Sequence, residues 1–481
     1  MMGRFNSLIL TVEAAFMIPA LLISLFCGDT AGVNGFIVAI LTAVGLAGIL
    51  AFLSRGAKPD FFAKEGLVCV GLSWIVMSLV GSMPFFFSGY IPSFIDALFE
   101  TVSGFTTTGA SILNDVTALS KGMLYWRSFS HWLGGMGVLV FLLAIIPVSG
   151  KSEGYTMHIL RAESPGPDVG KLVPKMRQTA AILYLVYIAL TVLDFIFLVA
   201  GKMPLFDAVC TALGTAGTGG FGVKADSLAS YSSYIQIVTT VFMLLFGINF
   251  SCYYLILLGQ VKSVLRDEEL RLYLGVVFAT VALITANIYK MYSGIGEALR
   301  HSAFQVSSII TTTGFATTDF NEWPEFSKAL LLILMLVGAC AGSTGGGMKC
   351  ARVLLIFKTM KRNISQVLHP KKVKVIKVNG KMVDEKLIAN TNAYFAVYIV
   401  IIIASFIVIS LDNLSTAANI SAVISCVNNI GPGFSEIGPM FSYSSYGTLS
   451  KCVLIFDMLA GRLEIFPILV LFNRHAWKRQ G

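Results

Sequence analysis

Four short stretches of this chain could together hold a bare cation. They are Thr106-Thr107-Thr108-Gly109-Ala110, Gly217-Thr218-Gly219-Gly220-Phe221, Thr311-Thr312-Thr313-Gly314-Phe315 and Asn428-Asn429-Ile430-Gly431-Pro432. A dehydrated cation needs several oxygen ligands at once, and backbone carbonyls supply them where the chain is extended and unobstructed, as glycine allows. Threonine adds hydroxyl oxygens and a stiff, β-branched backbone. Each stretch follows a short segment of helical character, whose partly negative C-terminus would face the stretch, and each precedes a long apolar run. Four such loops meeting on one axis inside a membrane would favour cations over anions. One Thr-Thr-Gly alone reads as a plain turn, but four copies at comparable intervals argue for an internal repeat and an ion-selective pore.

Aligning Gly109, Gly220, Gly314 and Gly431 tests that repeat. The small residues Ser103, Gly214, Ser308 and Ser425 then share one offset, and Asp96-Ala97 matches Asp207-Ala208. In the second copy Gly219 could stand in for Gly220. The parallel between Gly220-Phe221 and Gly314-Phe315 favours Gly220.

The elements that must carry these loops are membrane helices. The 481 residues are 56% hydrophobic and 13% charged, with a mean hydropathy of +0.79, which excludes an ordinary soluble protein. The first apolar run, 5–26, is too long for a signal-peptide core and lacks a small-residue cleavage site, so it reads as a retained span. The eight cysteines are scattered, mostly within apolar runs, without zinc or disulfide spacing.

The net charge of +9 is concentrated in a few connections. Arg55, Lys58 and Lys64 form one cluster, Lys151 to Arg177 a second, Lys262, Arg266 and Arg271 a third, and Lys358 to Lys386 the densest. The positive-inside bias makes these connections, and both termini, cytoplasmic. This distribution suits the lipid bilayer and points to no nucleic-acid partner. Runs 5–26 and 33–53 form a leading hairpin. Then a span, a short segment and a returning span recur four times: 66–87, 93–104 and 123–148; 180–199, 205–215 and 234–258; 270–292, 296–310 and 327–357; 388–411, 416–427 and 448–472. With the leading pair, that gives ten spans.

Every unit enters and leaves on the same side, so the repeats are parallel, unlike the inverted repeats of many secondary transporters. The predicted fold is an all-α polytopic membrane protein, with a leading helix hairpin plus four parallel helix–pore loop–helix repeats around a pseudo-four-fold pore. The expected units are 1–60, the leading hairpin; 61–150, 151–262 and 263–360, the first three pore repeats; 361–386, a cytoplasmic basic hairpin; and 387–481, the fourth repeat.

Two features suit a gate. Residues 339–349 read Ala-Cys-Ala-Gly-Ser-Thr-Gly-Gly-Gly-Met-Lys in the middle of the third returning span, where such a run is costly as helix. It superficially resembles a phosphate loop but fails the Walker spacing and has no preceding soluble strand. Gly342, Ser343, Thr344, Gly345, Gly346, Gly347 and Lys349 are therefore read as a flexible obstruction below the third stretch. Arg462 is the one arginine within the last apolar run, between Asp457 and Glu464. A charge at such depth needs a partner or a water-filled path, so it is read either as a structural ion pair or as a positive charge barring free leakage.

The acidic residues Asp96, Glu100, Asp207, Asp319, Glu322, Glu325 and Glu436 could gather cations at the outer mouth. Alternation through Lys374-Val375-Ile376-Lys377-Val378 before Asn379-Gly380 predicts a basic β-hairpin. His131 and His301 have nearby serines but no nucleophile motif, so helix-packing hydrogen bonds are favoured over catalysis and no enzyme is expected.

Together these residues resemble the Trk/Ktr/HKT superfamily of potassium transporters, specifically its bacterial TrkH-like membrane subunits. The resemblance covers essentially the whole chain, including Thr-Thr-Thr-Gly-Ala at 106–110, Thr-Thr-Thr-Gly-Phe-Ala-Thr at 311–317 and Gly-Arg-Leu-Glu-Ile-Phe at 461–466. It implies a K+ filter formed by Thr107, Thr108, Gly109, Thr218, Gly219, Gly220, Thr312, Thr313, Gly314, Asn429, Ile430 and Gly431. Relatives with serine at the first glycine tend to favour sodium, so Gly109 implies potassium selectivity. The second stretch is unusually glycine-rich and the fourth lacks threonine. Such unequal walls imply less than strict selectivity, admitting Rb+ and some Na+.

The resemblance further implies an intramembrane gating loop at 339–349, Arg462 in the permeation path, a homodimer with one pore per chain, and a cytosolic ring of TrkA-like, nucleotide-binding regulatory subunits. No nucleotide fold is visible in this chain, so no cofactor is expected in it. The function expected is channel-like potassium uptake across the bacterial cytoplasmic (inner) membrane. The alternative is a proton- or sodium-coupled symporter, for which Asp457 and Glu464 are the nearest acidic candidates.

Overall fold

A chain inside hydrocarbon must pair its own backbone amides and carbonyls, which helices do internally. The computed structural model describes residues 2–56, 63–137, 176–370 and 374–474, and it is helical but for one two-stranded hairpin among those residues. Lys58, the stretch 151–175, Lys371, Lys372 and 475–481 lie outside the described residues, so parts of three expected basic clusters and of the basic C-terminus do too. Among the described residues, six helices are long and apolar enough to cross a membrane singly: Met2–Phe26, Thr30–Leu53, Glu65–Phe87, Gln178–Ala200, Glu268–Met291 and Glu385–Asp412. The chain is a multi-pass membrane protein.

The first two helices form a hairpin turned at Asp29, whose carboxylate caps the second helix through Gly32 N–H at 2.9 Å. They pack on the helices that follow. Four short helices, Phe94–Phe105, Leu205–Gly217, Ile295–Ile310 and Thr416–Asn428, then alternate with the long ones, each preceding one of the glycine stretches.

The returning segments depart from the expected spans. Hydropathy reads them as four full spans, with a break expected only at 339–349 in the third, but each leaves helical form part-way. The first is helical over Lys121–Gly135, and the remainder of its expected span lies outside the described residues from residue 138. The second divides into Ser233–Phe246 and Phe250–Leu257, bent by 88°. The third stops at Val337 and resumes at Cys350, and the fourth stops at Arg462 and resumes at Phe466. Among the described residues this leaves six unbroken spans where the hydropathy pattern predicts ten.

In two repeats the returning helix lies hard against the short helix near the point where it ends. A Cβ at Gly134 would lie 1.8 Å from the Phe105 carbonyl oxygen, and one at Gly461 would lie 1.9 Å from that of Val427. Phe105 and Val427 each stand four residues before a repeat glycine, so glycine admits the returning helix against the same turn in the first and fourth repeats.

A buried ion pair joins the first repeat to the second. Arg127 Nη2 lies 2.6 Å from a Glu100 carboxylate oxygen, with both side chains almost wholly buried. Arg127 also donates to the Gly222 carbonyl at 3.3 Å and stacks 3.8 Å from the Phe221 ring centroid. Breaking such a pair from one side leaves a charge without compensation, at a cost of about 3–5 kcal/mol. Glu100→Gln should therefore lower the thermal denaturation midpoint of the purified protein clearly. Glu325→Gln, which removes the Lys328 partner at a largely exposed site, should barely move it. Equal midpoints for the two variants would contradict the bracing role.

Candidate cation site

The short helices all end the same way. Thr107, Thr218, Thr312 and Asn429 have φ of +56°, +53°, +57° and +55°, a left-handed conformation that β-branched residues rarely adopt. Two residues later Gly109, Gly220, Gly314 and Gly431 have φ of +79°, +77°, +83° and +105°. Between them, the N–H groups of Thr108, Gly219, Thr313 and Ile430 donate to the carbonyls of Ser103, Gly214, Ser308 and Ser425 at 2.8–2.9 Å. This is a Schellman closure repeated four times, and the small residues aligned in the sequence are its acceptors. The positive φ at Gly220, which Gly219 lacks, sets the register of the second copy.

The four loops close into a ring. A Cβ at Gly109 would sit 2.0 Å from the carbonyl oxygen of Gly219, at Gly220 2.0 Å from that of Thr313, at Gly314 2.2 Å from that of Ile430, and at Gly431 2.7 Å from that of Thr108. Each glycine thus abuts the residue preceding the glycine of the next repeat, in the cyclic order first, second, third, fourth, first. A side chain at any of these positions would force the facing backbone carbonyl to shift. The ring floors a cavity of about 300 Å³ that all four glycines line.

Directly behind the ring, away from that cavity, lies the segment 338–349. Its residues are buried except Gly342. Gly346 N–H donates to Thr312 Oγ1 at 2.6 Å, and a Cβ at Gly346 would be 2.5 Å from the Asn428 carbonyl. Thr344 N–H and its hydroxyl both point to the Phe246 carbonyl, at 3.4 and 3.3 Å, and Phe250 N–H donates to Gly342 at 3.0 Å. The segment therefore fits into the break of the second returning helix. Lys349, at φ +74°, turns its ammonium back onto the Gly345 carbonyl, and Ser343 bonds Cys340 at 2.6 Å.

Arg462 joins three of these parts. Its guanidinium donates to Thr107 Oγ1 at 3.2 Å, to the Thr344 carbonyl at 3.0 Å, to Gly135 at 2.5 Å and to the Gly134 carbonyl. The two acids that flank it in sequence turn elsewhere. Glu464 pairs with Arg352, while Asp457 accepts from Ser405 at 2.8 Å on the neighbouring helix Glu385–Ile409.

Glu269 is a site residue that sequence reasoning missed. One carboxylate oxygen accepts from Ala341 N–H at 2.6 Å and from Ala351 N–H at 3.0 Å, pinning both ends of the 338–349 segment. Its sequence neighbours carry the basic hairpin, strands Lys377–Val378 and Lys381–Met382 around Asn379-Gly380. Asn379 bonds Asp267 Oδ2 at 2.6 Å and the Glu268 N–H at 2.8 Å, and Lys358 pairs with Glu268. The run Asp267-Glu268-Glu269 was the available signal, though its acids read as an ordinary helix start.

The acidic residues considered for the mouth separate. Glu100 is used up by Arg127, Asp96 pairs with Lys451 at 2.7 Å, Asp207 accepts from Tyr231 at 2.7 Å, Asp319 caps Asn321, and Glu325 pairs with Lys328. Of the seven, only Glu436 lines the cavity above the ring. The Ser415 hydroxyl holds the Glu436 carboxyl below the usual carboxylate range, so it stays ionised at neutral pH. His131 bonds the Gly104 carbonyl through Nδ1 at 2.7 Å and faces Phe221 N–H at 3.3 Å, bracing two repeats, and His301 bonds Thr317 at 2.9 Å.

Comparison with known proteins agrees with this architecture. The TrkH family, described as a cation transport protein, matches residues 33–292 and 276–478. The Trk system potassium uptake protein TrkH of Salmonella typhimurium (strain LT2) is 34% identical over 481 residues, covering 99% of this chain and 98% of that one. The Trk system potassium uptake protein TrkG of Escherichia coli (strain K12) is 30% identical over 96% of this chain and 95% of its own. The crystal structure of the potassium transporter TrkH from Vibrio parahaemolyticus superposes with a TM-score of 0.88 at 30% identity, covering 99% of each chain. This chain belongs to the TrkH family of cation transport proteins.

Proposed function

We propose that this chain is the membrane subunit of a potassium uptake system, and that K+ crosses the bacterial cytoplasmic membrane passively through the ring of Gly109, Gly220, Gly314 and Gly431. The observation that carries this reading is the cyclic closure of four positive-φ glycines over a water-accessible cavity. Carbonyls of Thr108, Gly219, Thr313 and Ile430 crowd that ring, and together with the carbonyls of the four glycines they supply the oxygen ligands a dehydrated K+ requires. The relatives' names, potassium uptake proteins, give the cation. They are transporters, not enzymes.

Segment 338–349 and Arg462 act as the gate in this reading. The segment obstructs the passage behind the ring, and Arg462 adds a positive charge that opposes cations while tying the obstruction to Thr107. Regulation comes from a cytosolic ring of TrkA-like subunits acting on a homodimer, with both termini of each chain on the cytoplasmic side. The basic hairpin offers such a ring a handle. Its Asn379 grips Asp267 and Glu268, and the adjacent Glu269 holds both ends of the gating segment.

Passive flow is favoured over proton or sodium coupling because Glu464 pairs with Arg352, Asp457 accepts from Ser405, and neither acid lines the cavity at the ring. Purified protein in liposomes should pass K+ and Rb+ well, Na+ less and Li+ least, with a K+ reversal potential that a pH gradient or a Na+ gradient leaves in place. A reversal potential that follows either gradient would establish symport instead.

Removing Gly342 to Gly347 should raise K+ flux in the absence of any regulatory subunit, and Arg462→Ala should raise it less, because the segment still fills the passage. Flux no higher than that of the parent, in protein that elutes as a single folded species, would rule the segment out as a gate.

A further inference from the structure

The fourth wall of the ring differs from the other three, and one side chain accounts for the difference. Tyr443 donates its hydroxyl to the Gly431 carbonyl at 2.7 Å. Among the described residues, no hydrogen bond reaches the carbonyls of Gly109, Gly220 or Gly314. Gly431 is also turned differently, with φ of +105° against +77° to +83°, and its closest approach to the next repeat is 2.7 Å against 2.0–2.2 Å.

Tyr443 is held firmly for this task. It is only 2% exposed, its ring packs 5.7 Å from that of Phe99 and 6.0 Å from that of Tyr446, and its N–H donates to the Ser111 carbonyl at 2.8 Å. The hydroxyls of Ser442 and Ser444 both reach Asn114 Oδ1. The strap 442–445 thus spans from the fourth repeat to the first, and Tyr443 lines the cavity that the ring floors.

We propose that Tyr443 is a specificity-determining positioning residue, which weakens and fixes the Gly431 carbonyl so that the ring presents three strong oxygen ligands and one attenuated one. A carbonyl that already accepts a phenolic hydrogen bond has less electron density for a cation. Selectivity among alkali ions depends on the number and field strength of the carbonyl dipoles, and a weaker field favours the larger, less tightly hydrated ion. The fourth stretch lacks threonine, and with it the hydroxyl ties that link Thr106 to Thr108 and Thr311 to Thr313; Tyr443 supplies a hydroxyl tie from outside the stretch. This inference rests on the reading of the ring as the selectivity filter.

Tyr443→Phe keeps the ring packing and the backbone donor but frees the carbonyl. The K+/Na+ permeability ratio, from reversal potentials in liposomes under biionic conditions, should fall at least threefold. Replacing Tyr443 with 3-fluorotyrosine, a stronger donor of nearly equal volume, should raise the ratio above that of the parent, and it decides the matter if the phenylalanine variant does not conduct. A ratio that either conducting variant leaves unchanged, or moves in the opposite sense, overturns the role of Tyr443. Gly109→Ser, measured alongside, separates this from the underlying reading: it places a side chain within the ring and should reduce K+ preference whatever Tyr443 does. If Gly109→Ser lowers the ratio and Tyr443→Phe does not, Tyr443 alone loses its role. If neither variant alters it, the ring is not the filter.

Discussion

The structure depends on one steric constraint: at four points the backbone of one repeat comes so near the glycine of its neighbour that no Cβ can stand between them. The gaps of 2.0–2.7 Å lie well inside any real carbon–oxygen contact. Three of the loops reach this approach through a threonine held in left-handed conformation, at a cost of about 1–3 kcal/mol for each such residue. The surroundings that hold the strain are visible. The Schellman bonds close each short helix, Thr107 and Thr312 receive donors from Arg462 and Gly346, and Thr106 and Thr311 bond the hydroxyls of Thr108 and Thr313 at 2.8 Å.

From this constraint follow both the symmetry and its breaking. The ring is four-fold in backbone, yet each junction between repeats is built from different side chains. Glu100, Arg127 and His131 join first to second. Ala316 N–H and carbonyl meet Ser227 and Leu228 between third and second. Asn321 exchanges two hydrogen bonds with Ser435 between third and fourth, and the Tyr443 strap closes fourth to first. The four walls of the ring are therefore alike in backbone plan and differ in the side chains that brace them. The same economy appears behind the ring, where the segment 338–349 is bonded to the second repeat at Phe246, to the third at Thr312 and to the fourth at Arg462.

Much of this was legible in the residues. Apolar run length located the unbroken spans to within a few residues, because hydrocarbon thickness sets it, and the common offset of Ser103, Gly214, Ser308 and Ser425 marked the repeat, though not that their carbonyls close the four turns. The broken returning helices were not legible, apart from the glycine-rich run at 339–349. Single glycines such as Gly247 and Gly461 occur in continuous membrane helices too, and hydropathy is blind to a bend. The parallel with Gly314-Phe315 favoured Gly220 over Gly219 in the second stretch, and φ, which a sequence does not display, separates the two. Glu269 and Tyr443 escaped notice for another reason: each acts on a segment far along the chain, or past a turn, with no periodic pattern to mark it.

The central claim is that a cation sits at the ring of four glycines. The most direct measurement is anomalous diffraction from crystals grown in Rb+, collected at the rubidium absorption edge. The account predicts a peak on the axis between the backbones of Gly109, Gly220, Gly314 and Gly431, replaced without anomalous signal when K+ is exchanged in. Rubidium bound elsewhere in the membrane-embedded region, with none at the ring, would contradict it.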